Sequence, residues 1–142
     1  MRVSAKAEYA CIAMLELATN FAEPQPVRVK SIADAHGIPL RFLVQILLQL
    51  KTAGLVASVR GAAGGYQLAR RPAEITLADI ISAIDAEQPP RPAGQGPRSA
   101  ARQAIHSVWR EIQAEEQRIL EHLSLAELVR RTQETNAVTY QI

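Results

Sequence analysis

The chain has 142 residues, 48% of them apolar, and a formal charge of +2; this suits one compact domain with an appended element and is too apolar for disorder throughout. No apolar run reaches the eighteen or so residues a bilayer requires, because Glu16 and Gln45 interrupt the two best stretches; with no secretory pattern at the N-terminus, the expectation is a soluble, cytoplasmic protein without a membrane partner. Cys11 is the sole cysteine, which excludes an internal disulfide framework and any cluster or zinc site built from several thiolates of one chain.

From Ser4 to about Phe21, Tyr9, Ile12, Leu15 and Ala18 recur at helical spacing, with Ser4 as N-cap. The segment AEPQPV carries two prolines and reads as a loop. It is followed by a short helix, a break at Gly37, and a longer helix whose first turn holds Pro39. In that longer helix Phe42, Leu43, Ile46 and Leu50 fall on one side, and Arg41, Val44, Gln45 and Leu48 on the other. The second set faces something other than the core. Gly54 ends the helix, and then LVASV and YQLA flank RGAAGG, the pattern of two short strands joined by a glycine-containing loop. The fold expected is mainly α with a small β-hairpin wing: a winged helix-turn-helix.

Thr76-Leu77-Ala78-Asp79 is a capping box opening a helix through Ile80, Ile81 and Ile84, and Ser124-Leu125-Ala126-Glu127 opens a last short helix. Between them, residues 87–100 hold four prolines and two glycines, as a flexible linker would. From about Ala101 to Leu123 a long helix places Ile105, Ile112 and Ile119 seven apart, supported by Val108 and Trp109. A lone helix cannot bury that stripe, and the spacing leans toward a homodimer over packing on its own domain. The division expected is a winged-helix domain over 1–86, the linker over 87–100, and a dimerisation helix with a short C-terminal helix over 101–142.

Charge is divided unevenly. Residues 1–71 hold nine Lys or Arg against four acids, a net +5, and residues 72–142 hold seven against ten, a net −3. A basic front half suggests a polyanionic partner. In the hairpin, Gly61, Gly64 and Gly65 permit positive φ and a close backbone approach to another surface, Tyr66 follows them, and Arg60 at the base of the tip can enter a narrow, negative groove. Together with the helix-turn-helix, these are the requirements of a wing that reads double-stranded DNA.

The segments MRVSAKAEYA, IADAHGIPLRFLVQILLQLKTAGLVASVRGAAGGYQLAR and ITLADIISAID resemble the Rrf2 family of bacterial winged-helix transcription regulators, over about residues 1–130. The RGxxGGYxLAR element is the specific one. The resemblance implies a homodimer on a roughly palindromic operator, more in the manner of a repressor, built on the long C-terminal helix. It implies that Arg41 and Gln45 meet bases or phosphates, that Arg60 enters the minor groove, and that Lys6 touches the DNA backbone.

Three departures from the family pattern matter. Val44 stands where many members place a Glu that accepts from cytosine, and it offers only methyl contacts, which implies a different operator. Arg28 stands where a Ser often caps the second helix. No cysteine lies between Asp85 and Trp109, where cluster-binding relatives carry three, and His106 alone cannot hold an iron–sulfur cluster, so no cofactor and no metal is expected. Cys11 is a small buried residue or, in the functional alternative, a thiol sensor, which would need exposure and a low pKa. A small-molecule or protein effector beside the long helix is an open expectation. A protein-interaction module using the winged helix is the rival reading, and no nucleophile or phosphate-cradling motif recommends an enzyme.

Overall fold

The computed structural model describes residues 3–23, 25–85 and 96–141. In chain order they form α1 (Ala5–Thr19), α2 (Val29–His36), α3 (Leu40–Thr52), β1 (Val56–Val59), β2 (Gly65–Leu68), a 3-10 turn (Pro72–Glu74), α4 (Leu77–Asp85), α5 (Ala100–His122) and α6 (Leu125–Gln141). The expected architecture, helices with one hairpin wing, is present.

Local chemistry sets the boundaries. Ser4 caps α1, its Oγ accepting from the Ala7 N–H at 3.1 Å. Gly37, at φ 64°, ends α2 in the left-handed conformation that a residue without Cβ adopts cheaply. Pro39 is the N-cap of α3 and lies one position before its first turn. The α4 capping box is reciprocal: the Asp79 N–H donates to Thr76 Oγ1 at 3.2 Å and the Thr76 N–H to Asp79 Oδ2 at 3.0 Å. Ser99 caps α5 through the Arg102 N–H, and Ser124 caps α6 through the Glu127 N–H.

The core joins Met14 and Leu17 of α1, Ile32 of α2, Leu43, Ile46, Leu47 and Leu50 of α3, Leu55, Val56 and Leu68 of the hairpin, Ile75, Ile80 and Ile84 around α4, and Leu125 of α6. On α1 the contact face is lined by Ala7, Ala10 and Ala13, all buried, whose small side chains let neighbouring helices approach closely. Phe42, expected in the core, is half-buried because it packs at the rim against Tyr9, edge to face with ring centroids 5.7 Å apart.

The C-terminal segment is divided differently from the expectation. Leu125 is fully buried in the main core, and Leu128 and Val129 pack against it, so α6 belongs to the winged-helix body. It is also longer than foreseen, 17 residues. Its packing on α1 and a charge ladder sustain it: Arg130 donates to Glu127 and Glu134, and Arg131 to Glu127. The bonds from Arg130, and then Arg131, hold the Glu127 carboxyl down to about 2. By contrast, α5 has no buried residue along its 23 positions. Of the linker expected over 87–100, residues 87–95 lie outside the described residues.

Candidate nucleic-acid interface

At 100° per residue, Leu40, Lys51, Val44, Leu48, Arg41, Thr52 and Gln45 follow one another within about 140° of the α3 circumference. All seven are exposed, while Leu43, Ile46, Leu47 and Leu50 are buried opposite. The helix contains no acid, so the only charges on this arc are the cations Arg41 and Lys51.

The hairpin stands beside that arc. β1 and β2 pair antiparallel, with Val56 opposite Leu68 and Val59 opposite Gly65, and Lys51 Nζ donates to Ser58 Oγ of β1 at 2.7 Å. The tip closes through the Gly64 N–H donating to the Gly61 carbonyl at 2.9 Å, with Gly61 at φ 116°. Arg60 is exposed at the base of this turn. A second tie comes from Arg28, which sits at the α2 N-cap but makes no side-chain cap bond there. Instead its Nη2 donates across the fold to the Ala62 carbonyl at the wing tip, at 2.7 Å. Nothing local in the sequence signals this contact, which spans 34 residues; locally Arg28 reads only as a missing helix cap.

Three wing residues make close contacts within the protein itself. Gly65 does permit a close backbone approach, but the surface approached is the protein's own: an added Cβ would lie 2.2 Å from the Val27 carbonyl oxygen. Val27 and Tyr66 form an isolated bridge there, with the Val27 N–H donating to Tyr66 O at 2.9 Å and the Tyr66 N–H to Val27 O at 2.8 Å. Tyr66 is half-buried against the hydrophobic core, so its side chain supports the wing from behind. Gly64 is likewise hemmed in by its own hairpin, 2.3 Å from Val59 O for an added Cβ.

Lys6 is half-buried in the first turn of α1, three residues before Tyr9 and therefore on the same helix face. The Tyr9–Phe42 contact sets that face beside the N-terminal half of α3. Cys11 is half-buried, and its thiol is pushed up to about 11, chiefly by burial and further by the nearby carboxylates Glu8 and Asp85. This environment keeps the thiol protonated and opposes the sensor reading. On α5, Ile105, Val108, Trp109, Ile112 and Ile119 are all exposed, Trp109 at 55%.

Beside the C-terminal end of α3 an open groove of about 590 Å³ is lined by residues including Leu48, Gln49, Arg70, Asp79 and Ser82. The cleft foreseen for an effector was next to the long helix instead. Among the described residues no three His, Cys, Asp or Glu side chains gather as metal ligands.

Residues 3–131 match the Rrf2 profile, described as "Iron-dependent Transcriptional regulator". The chain is 45% identical over 131 residues to an HTH-type transcriptional regulator of Mycobacterium tuberculosis, covering 90% of this chain and 81% of that protein. It is 37% identical over 131 residues to the HTH-type transcriptional regulator IscR of Aliivibrio salmonicida, covering 91% and 77%. Among solved structures it is similar to CymR, the global cysteine regulator of B. subtilis, with TM-score 0.78, 32% identity and coverage of 92% of this chain and 98% of that one. The IscR of T. potens also superposes with TM-score 0.78, at 36% identity and 95% and 90% coverage. The donor set for an iron–sulfur cluster does not fit this chain: it has a single thiol, Cys11, placed in α1, and His106 on α5 has no cysteine of its own segment to join it.

Proposed function

The chain belongs to the Rrf2 family of HTH-type, DNA-binding transcriptional regulators, and from that premise we propose that it acts in the cytoplasm as a homodimeric repressor on a palindromic operator, without an iron–sulfur cluster. The observation that carries this reading is the acid-free outward arc of α3, joined to the wing by the Lys51–Ser58 bond. A polyanion approaching that face meets only cations and neutral groups.

In this reading α3 enters the major groove, and Arg41 and Gln45 make the polar contacts to base edges, at about 1–3 kcal/mol of discrimination for each good bidentate pair. Val44 lies beside them on the arc, on the Leu40 side, and contributes apolar contact. Arg60 reaches the minor groove from a tip shaped by Gly61, Gly64 and Gly65, and Lys6 meets a phosphate. Phosphate neutralisation supplies much of the affinity and makes it strongly salt-dependent. The exposed stripe Ile105, Val108, Trp109, Ile112 and Ile119 joins two copies along α5, which presents one reading head to each half-site.

Selection of bound duplexes from random DNA by the purified protein tests the reading. Enrichment of a palindrome, bound with affinity that falls steeply with salt by a species of twice the chain mass, is the expected result. A monomer indifferent to DNA at low ionic strength overturns it.

A further inference from the structure

The arc of α3 that faces outward is more apolar than contact with phosphates requires. Leu40 is 48% exposed and Val44 40% exposed, one turn apart in the N-terminal half of the helix. Arg41 and Gln45 flank them on one side. Leu48 continues the line one turn nearer the C-terminal end of the helix, where it also lines the groove beside α4. A second copy seated on this strip would bring Arg41 and Lys51 toward their own counterparts, and α3 has no carboxylate to pair with them. An anionic partner with an apolar feature in its recognised groove suits the strip better.

In the major groove of DNA that feature is the methyl group on C5 of a pyrimidine. Thymine carries it at the groove edge, and side chains of recognition helices contact it by apolar packing. The N-terminal residues of such a helix are the ones that reach base edges. We propose that Leu40 and Val44 are specificity-determining residues that read pyrimidine C5-methyl groups, those of thymine and, by the same chemistry, of 5-methylcytosine. Arg41 and Gln45 alongside them supply the hydrogen bonds. The inference rests on the operator-binding reading above and adds to it a chemical class of base, together with a sensitivity to cytosine methylation that hydrogen bonding alone does not confer.

The test starts from a duplex selected by the wild-type protein. Thymines in each half-site are replaced singly by deoxyuracil, which removes the methyl and leaves charge and hydrogen-bonding pattern unchanged. At one or two positions affinity is expected to fall about fourfold, as the loss of one buried methyl-sized contact implies. Val44→Ala and Leu40→Ala, with helicity checked by circular dichroism, each bring the thymine-to-uracil ratio toward one at a single position, whereas Arg41→Ala weakens both duplexes together. In the other arm, cytosine or 5-methylcytosine occupies the same positions, and the methylated base is bound more tightly.

Equal affinity for thymine and uracil duplexes, with palindrome selectivity and salt dependence intact, overturns this inference and leaves the regulator reading standing. A thymine preference that survives unchanged in both alanine variants overturns the assignment to these residues. Failure to select any duplex, with no salt-sensitive binding, overturns the underlying reading and the inference with it.

Discussion

Replacing Gly65 with alanine separates two accounts of the glycine-rich wing. If the glycine exists to let DNA approach, the substitution weakens DNA binding and leaves the fold untouched. The geometry points the other way, because the new Cβ would lie 2.2 Å from Val27 O and 2.5 Å from the Val27 carbonyl carbon, backbone atoms that cannot rotate aside. The Val27–Tyr66 bridge must open, with its two hydrogen bonds of 2.9 and 2.8 Å. At about 0.5–1.5 kcal/mol net for each bond, the cost is about 1–3 kcal/mol. For a chain of this length that lowers the melting temperature by about 3–9 °C. Thermal unfolding followed by circular dichroism measures it, alongside DNA affinity recorded well below the transition. A G65A protein that melts with the wild type refutes the reasoning, whatever its affinity for DNA.

Further outcomes follow from the other contacts. Arg28→Ala removes the bond to Ala62 O while costing under about 1 kcal/mol of stability, since the group is exposed; its effect on operator affinity should be non-additive with Arg60→Ala in a double-mutant cycle, and strict additivity would separate the brace from the arginine proposed to enter the groove. The Cys11 thiol, raised to about 11 from 9.0, should react with an alkylating probe at neutral pH about a hundredfold more slowly than an unperturbed cysteine; labelling at the rate of the unfolded chain contradicts that environment. Because the folded pKa lies above the unfolded one, the protonated thiol's contribution to stability is complete below about pH 9 and declines as pH rises toward about 11, which denaturant titrations across that window can follow. Ile112→Glu on the exposed α5 stripe should yield a folded monomer with operator affinity at least tenfold weaker, measured by sedimentation and fluorescence anisotropy; an unchanged dimer removes α5 from the interface.

Where sequence reading succeeded, the signal was local or periodic. The buried set Leu43, Ile46 and Leu50 and the exposed set Arg41, Val44, Gln45 and Leu48 follow from a 3.6-residue repeat, and the α4 box from two residues three apart. The hairpin followed from glycines between two β-prone runs. What escaped were pairings between distant segments: the Val27 bridge, the Arg28 brace, and the burial of Leu125 in the main core. Each depends on how helices stack, which no single stretch encodes. Gly65 shows the difference most clearly, since its need for a close approach was readable but the identity of the approaching surface was not. The length of α6 was underestimated because its alternating charges look like any solvated tail until Leu125, Leu128 and Val129 are seen gripping the body.

The two capping boxes meet back to back. Thr76 and Ser124 form a bridge, the Leu77 N–H donates to Leu123 O at 2.9 Å, the Leu125 N–H donates to Ile75 O at 2.8 Å, and Ile75 and Leu125 are fully buried beneath. A miniature two-stranded clasp therefore rivets the end of the exposed rod to the start of α4, which itself packs on α3. The C-terminal end of the rod is thus held by backbone hydrogen bonds to a helix that packs directly on α3, the helix proposed above to meet DNA.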